Sequence, residues 1–294
     1  MSDQKKAYLY AIAAVLFWST VASAFKITLQ YMSPVLMLLI ASGVSAVIFF
    51  AMLAFGGKLH LLRACTGKDL LRSFLLGGLN PFLYYLMLFK AYSLLPAQEA
   101  QPLNWTWPIM LALLSVPILK QRIGLRSVAA LLISFAGVMF ISTGGDPLSL
   151  HFTNPSGAFL ALSSSVVWAL FWIFNVRDGR DERVKLFLNF SAGFILTAAF
   201  FLAAGASVPP ALPGIIGAAY IGLFEMGITF FVWLKALTLS RTTAMVGNLV
   251  YASPFLSLVL IHYIVGEEIQ ASSILGLVLI LSGVAVQQWG RREK

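Results

Sequence analysis

The sequence predicts an all-α integral membrane protein, with ten transmembrane helices built as two inverted five-helix repeats around a central cavity. Three observations carry this reading. They are an extreme apolar composition, ten apolar runs long enough to cross a bilayer, and a self-similarity between the two halves at an offset near 146 residues.

Of the 294 residues, 60% are hydrophobic and 11% are charged, against roughly 25% charged in ordinary soluble domains. A water-soluble chain of this length has no way to hide so much apolar surface, and the mean hydropathy of +0.88 makes lipid the main solvent. Soluble enzymes and nucleic-acid-binding modules are excluded on this ground. A net charge of +9 would by itself suggest nucleic acid as a partner, so the placement of the charges has to decide.

A helix crosses about 30 Å of hydrocarbon with about 20 apolar residues. Runs of that kind lie at 7–29, 34–55, 69–92, 97–119, 124–143, 155–176, 184–205, 213–238, 242–264 and 270–290. The first follows Lys5 and Lys6, is longer than a signal-peptide core and lacks a clear small-residue cleavage site, so it reads as a retained span. A basic stretch with Lys58, Arg63 and Lys68 parts the second span from the third and carries the single cysteine, Cys65, which reads as a loop thiol. Lys120, Arg122 and Arg126 separate the fourth and fifth spans. The segment Arg177 to Arg183 mixes both signs through Asp178, Asp181 and Glu182, and reads as a solvated linker joining the halves. Lys235 and Arg241 mark the end of the eighth span, and Gly266-Glu267-Glu268 opens the tenth.

With the N-terminus inside, the even connections and both termini collect every lysine and arginine except Lys26 and Lys90, while Asp146, Glu267, Glu268 and Glu99 fall on or near the other side. That asymmetry predicts cytoplasmic N- and C-termini, and it explains the basic charge as a topological signal with no nucleic-acid partner. All connections are short, which leaves no room for a soluble catalytic domain.

The halves repeat. Gly78-Leu79 matches Gly222-Leu223, Lys90-Ala91 matches Lys235-Ala236, Pro108 matches Pro254, and Leu131 to Val138 (LLISFAGV) matches Leu277 to Val284 (LVLILSGV); Trp18 and Trp168 sit in the first helix of each half. A unit of five spans crosses an odd number of times, so the second copy is upside down relative to the first. The expected units are residues 1–145 and 146–294, the inverted repeat of a secondary transporter with alternating access.

With these motifs the chain resembles the EamA family of the drug/metabolite transporter superfamily. Within it, Asn104-Trp105-Thr106-Trp107-Pro108 is similar to the Asn-Tyr-Leu-Trp-Pro stretch in the fourth helix of the YddG-like aromatic amino-acid exporter branch, agreeing at three of five positions. The resemblance implies export of a small organic metabolite, most readily an amino acid, aromatic ones included, across a bacterial-type inner membrane. The expected partners are that metabolite and the lipid bilayer, and a monomer is the expected state.

Signatures of other chemistry are missing. No phosphate-binding Gly-x-x-x-x-Gly-Lys-Ser/Thr loop occurs, His60, His151 and His262 are far apart, and neither a Gly-x-Ser-x-Gly elbow nor a His-Glu-x-x-His pair is present. No catalytic residue, metal or cofactor is expected. A small-multidrug-type proton antiporter would place an acid in the first span, which has none, and a phosphorylated-sugar carrier would line its cavity with several Lys or Arg. A membrane enzyme or scaffolding subunit lacks a catalytic cluster or a docking domain.

Acids and bases inside lipid are costly, so those deep within a span are functional candidates. Glu225, midway along the eighth span, either binds a substrate amine, carries a coupled proton, or is a carboxyl hydrogen-bonded between helices. Lys90 and Lys235 read as snorkelling anchors or as gate residues that meet a substrate carboxylate, and Lys26 as an outer-edge anchor. Asn104 with Trp107, and Asn248 with Tyr251, share helical faces beside Pro108 and Pro254, whose missing N–H frees a carbonyl and bends the helix. These faces are expected to line the cavity together with Trp18, Ser19, Asn80, Tyr84 and Thr229. Trp168 and Trp172 form an aromatic stripe belonging either to the cavity or to core packing, and Ala41 with Ser45 and Ala130 with Ser134 read as scaffold.

Overall fold

The computed structural model describes residues 3–107, 110, 113–114, 117–118, 125–148, 153–205, 211–239, 249 and 252–289. Among the described residues there are helices and turns and no strand. Helix α1 is Asp3–Leu29, α2 Pro34–Phe55, α3 the single turn His60–Arg63, α4 Gly67–Gly77, α5 Tyr84–Leu94 and α6 Ala97–Asn104. After these come α7 (Leu125–Ser142), α8 (Pro155–Val176), α9 (Glu182–Ala203), α10 (Leu212–Tyr220), α11 (Thr229–Leu239), α12 (Ala252–Leu260) and α13 (Ala271–Trp289). Among the described residues, six continuous helical segments are long and apolar enough to cross a membrane: Asp3–Leu29, Pro34–Phe55, Gly67–Leu94, Pro155–Asn175, Glu182–Ala203 and Leu212–Trp233.

Local chemistry sets the helix limits. Ser33 Oγ accepts the Leu36 amide at 3.3 Å and Asn154 Oδ1 the Gly157 amide at 2.9 Å, each directly before a proline at the first helical position. Thr66 and Asp69 form a reciprocal capping box at the start of α4.

Two of the long helices are interrupted in the middle. Between α4 and α5 the chain makes a π-helical segment, Gly78–Leu83, in which Asn80 leaves helical geometry (φ −147°, ψ 122°) ahead of Pro81. A second π-helical segment, Ile221–Ile228, joins α10 to α11. Such segments widen a helix, leave carbonyls short of partners and recur at functional sites. Gly78 and Gly222 are the sequence-matched glycines of the two halves, so both breaks fall at one repeat position.

Helices from the two halves pack on one another. α2 meets α9 through Phe49 and Phe190, with ring centroids 5.3 Å apart, and through Phe50 and Phe187 at 5.6 Å. α1 meets the second π-helical segment through Phe17 and Phe224 at 5.0 Å, and α5 meets α8 through Tyr84 and Trp168 at 4.6 Å. α7 and α13 pack backbone to backbone: a Cβ on Gly137 would lie 2.6 Å from the Gly276 carbonyl oxygen, and one on Gly276 would lie 2.8 Å from that of Gly137. Alongside, Ser134 Oγ donates to the Ile280 carbonyl at 3.2 Å. Small residues do the same on α2, where Ala41 leaves room for Gly222 and Ser45 Oγ donates to the Gly222 carbonyl at 2.8 Å. Large apolar side chains such as Val47, Phe55, Phe159 and Leu202 remain on the exterior, as lipid allows.

The segment between α8 and α9 corrects one expectation: it is not a solvated linker. The Asp178 side chain is 0% exposed, and Arg180 Nε donates to its two oxygens at 2.9 and 3.0 Å. Arg180 reaches on to the Asp69 carbonyl at 3.1 Å and to Ser73 Oγ at 2.9 Å, which ties the segment to α4. Asp181 caps α9 through the Arg183 amide and pairs with Lys58 at 2.5 Å. Burial pushes the Asp178 carboxyl up, but the hydrogen bonds and charge of Arg180, with Arg72 nearby, outweigh it and hold the group below the ordinary carboxylate range. The mixed charges pair partly within the segment, Asp178 with Arg180, and partly with Lys58 and Arg72, more than a hundred positions earlier.

Candidate functional site

A cavity with about 580 Å³ of atom-free space, part of it open to solvent, lies among α1, α5, α6, α8 and the second π-helical segment. Its wall brings together six residues expected from the sequence: Trp18, Tyr84, Asn104, Trp107, Trp168 and Glu225. Phe25, Tyr92, Gln101 and Trp105 also line it, so six of the nine polar or charged groups in this wall are phenols or indoles, set around one amide pair and one carboxyl.

The carboxyl is held by design of the surrounding helices. The π-helical segment turns Glu225 inward, where it is 6% exposed. The Tyr85 hydroxyl on α5 donates to Glu225 Oε1 at 3.1 Å, and Oε2 has no hydrogen-bond partner. Asn104, the last residue of α6, is bonded to the protein at both amide atoms: Tyr84 donates to its Oδ1 at 3.2 Å and its Nδ2 donates to Ser164 Oγ at 2.9 Å. Two residues further, just past α6, Thr106 Oγ1 lies 3.0 Å from Ser165 Oγ, which docks this end of α6 on α8. Gln101 Oε1 is buried and unpartnered.

The remaining expected residues lie elsewhere. Ser19 is buried against the Val15 carbonyl and Ser253 Oγ, and Thr229 Oγ1 bonds the Phe224 carbonyl. Trp172 stacks on Phe230 at 5.8 Å behind Trp168. Asn80 is fully buried in the first π-helical segment with both amide atoms unpartnered. Lys90 is exposed, Lys235 lies 5.7 Å from the Phe231 ring centroid, and Pro254 is buried in α12 beside Ser253; none of the three lines the cavity. Asn248, Tyr251 and Pro108 lie outside the described residues.

At the far end of the wall from Glu225, the halves are clamped. Lys26, one residue from the cavity-lining Phe25, donates to the Tyr92 and Leu95 carbonyls at 3.1 and 2.7 Å and stands 3.9 Å from Glu267 Oε1. It is therefore more than an edge anchor. Glu267 accepts the Ala97 and Gln98 amides at 3.1 and 3.4 Å, satisfying the first turn of α6. Gln98 bridges the loop with Nε2 to the Glu268 carbonyl at 2.6 Å and the Gln270 amide to its Oε1 at 2.9 Å.

Residues 5–143 match the EamA-like transporter family, and residues 155–287 match it again. The chain belongs to the EamA-like transporter family. It is 27% identical over 292 residues to the aromatic amino acid exporter YddG of Ancylobacter novellus, with 97% of each chain covered. An uncharacterized transporter of Archaeoglobus fulgidus is 22% identical over 292 residues, covering 96% of this chain and 98% of its own, and the uncharacterized transporter YvbV of Bacillus subtilis is 26% identical over 214 residues, covering 71% and 68%. A crystal structure that aligns with 99% of both chains at a TM-score of 0.69 and 24% identity has the same fold. As a member of the EamA-like family the protein is an integral membrane transporter, with a small-molecule substrate and lipid as its partners.

Proposed function

We propose that this EamA-like protein is a secondary transporter that moves a small organic metabolite, with aromatic amino acids the best fit, across the cytoplasmic membrane by alternating access. The observation that carries the reading is the cavity, which joins an aromatic wall to a few polar groups between helices of both halves. An aromatic side chain would pack against Trp18, Trp107 and Trp168, while the polar end would face Gln101 and Glu225. The name of the Ancylobacter novellus relative favours the same class.

Two inverted five-span units, 1–145 and 146–294, are the architecture that best accounts for alternating access here. Three findings support it. The family matches once in each half, both π-helical breaks fall at one repeat position, and the helix pairings persist when the halves are exchanged. Such an exchange maps the pair α1 with the eighth span onto α8 with the third, and leaves α2 with α9 and α7 with α13 as self-matched pairs. In these pairs residue numbers rise on one helix as they fall on the other, as inverted copies require. The charge asymmetry puts both termini in the cytoplasm.

Glu225 favours a second reading, in which the same carrier is coupled to protons. Uptake of labelled aromatic amino acids into proteoliposomes, with and without a pH gradient, tests both. Flux that responds to the gradient supports coupling, and gradient-independent flux supports a facilitator. Absence of flux for every metabolite from a folded, monodisperse protein would remove the carrier reading.

A further inference from the structure

We propose that the cavity recognises its ligand by positive charge: it is a receptor for the ammonium group of an aromatic amine, and a carboxylate on the ligand adds nothing to binding. This rests on the carrier reading for the path the ligand takes, and deepens it by naming the group that is recognised.

The argument is an account of what the wall leaves unsatisfied. Glu225 is more than nine-tenths buried and presents one oxygen, Oε2, without a partner, while Tyr85 occupies the other. Gln101 adds a second buried, unpartnered oxygen to the same cavity. Asn104, the remaining amide, is already bonded on both its oxygen and its nitrogen. The fully buried atoms that the wall leaves unpartnered are thus both acceptors, and an R–NH3⁺ group is the ligand chemistry that brings three donors and the counter-charge to a buried carboxylate. The indole and phenol faces of Trp18, Tyr84 and Trp168 carry negative quadrupole potential, which attracts a cation and repels an anion.

A ligand carboxylate would find only neutral indole, phenol and amide donors on the described wall. No Lys, Arg or His is among the described residues lining the cavity. The nearest ammonium in sequence, Lys26, is held by the Tyr92 and Leu95 carbonyls and faces Glu267. An anion entering here would meet a like charge with no donor cation to offset it.

The test is a matched ligand series on the purified full-length protein: 2-phenylethylamine, phenylalanine methyl ester, phenylalanine and 3-phenylpropionate, with affinity measured by calorimetry and transport by counterflow in proteoliposomes. The amine and the ester bind at least as tightly as phenylalanine and about tenfold or more tighter than 3-phenylpropionate. Glu225→Gln collapses that gap, and Glu225→Asp retains most of it. Equal affinity for 3-phenylpropionate and the amine, or an undiminished gap in a folded Glu225→Gln protein, overturns the proposal. Binding and transport of phenylalanine with exclusion of the amine overturns it too, while leaving the carrier reading standing. Absence of binding and flux for all four compounds overturns both. The four-ligand comparison on the unaltered protein decides the matter even where a variant does not fold.

Discussion

The Tyr85 hydroxyl donates to Glu225 Oε1 across 3.1 Å, and this bond joins α5 to the π-helical segment Ile221–Ile228. Tyr85 is itself fully buried, packed 4.6 Å from Tyr84 and 5.3 Å from Phe89. The aromatic layer on α5 therefore orients the carboxyl and seals it on the side away from the cavity. A carboxyl in such a place stays available to a ligand only while its other oxygen is satisfied by the protein.

Tyr85→Phe removes that donor from Glu225 Oε1. The expected cost is about 1–3 kcal/mol of stability, the penalty for a buried polar group that loses its partner. Thermal unfolding in detergent, compared with Glu225→Gln/Tyr85→Phe, checks it. The double variant should recover part of the loss, because a neutral amide is cheaper to leave unpaired than a carboxylate.

Trp107→Ala removes an indole from the cavity wall without touching the Asn104 bonds that dock α6 on α8. Transport of an aromatic substrate should fall about tenfold, equivalent to about 1.4 kcal/mol of lost aromatic contact, with the melting temperature nearly unchanged. Asn104→Ala should reduce transport and stability together, since it frees Tyr84 and Ser164 as well. Wild-type transport in both variants would take α6 out of the site.

Helix limits such as 34–55 and 155–176 are legible in the sequence because Ser33-Pro34 and Asn154-Pro155 are strong local start signals. The candidates Trp18, Tyr84, Asn104, Trp107, Trp168 and Glu225 are legible as polar or aromatic residues inside apolar runs, where each has an evident cost. Their partners are not. Tyr85 looks like any core aromatic beside Tyr84, and only the π-helical turn 140 positions later supplies its acceptor. Gln101 sits in the polar run Gln98-Glu99-Ala100-Gln101, a signal that an apolar-run count passes over. Lys26 reads as an anchor because Glu267 is distant in sequence, and the segment 177–183 reads as solvated because the groups that hold it to the rest of the fold, Lys58 and the α4 residues Asp69 and Ser73, are more than a hundred positions away.

Gly137→Ala tests the backbone contact of α7 and α13. The new Cβ would fall 2.6 Å from the Gly276 carbonyl oxygen and 2.9 Å from Ile280 Cγ1, so the helices must separate. A loss of about 1–3 kcal/mol is expected, typical of overpacking a close contact, with Ser134 Oγ losing its bond to Ile280 as the pair opens. Equilibrium unfolding measures it.

Asp178→Asn should destabilise the protein by about 3 kcal/mol at neutral pH, because it leaves the Arg180 guanidinium partly buried with a neutral partner. The pH dependence follows from the depressed carboxyl. A group whose folded pKa lies below its ordinary value of 3.8 contributes its full stability above that value and loses it as pH falls through the lower folded value. The difference in melting temperature between the two proteins should be flat from pH 6 to pH 8 and shrink below about pH 4. A difference that instead grows on acidification would mean that the bond to Arg180 does not govern Asp178.

Gln98→Ala cuts both hydrogen bonds between the start of α6 and the loop before α13, the one to the Glu268 carbonyl and the one from the Gln270 amide. These bonds join the halves at the cavity end that the proposed orientation would put outside, three residues before the wall residue Gln101. Two such bonds contribute about 1 kcal/mol each, so their loss should raise the outward-open population about tenfold or more. A Gln101→Cys reporter in a Cys65→Ser background reads this out as the rate of labelling by a membrane-impermeant maleimide in right-side-out vesicles. Faster labelling with the folded fraction unchanged identifies the Gln98 clamp as a gate contact. An unchanged rate assigns it to a segment that stays closed throughout the cycle, and moves the opening of the cavity to the Lys26–Glu267 side of the same loop.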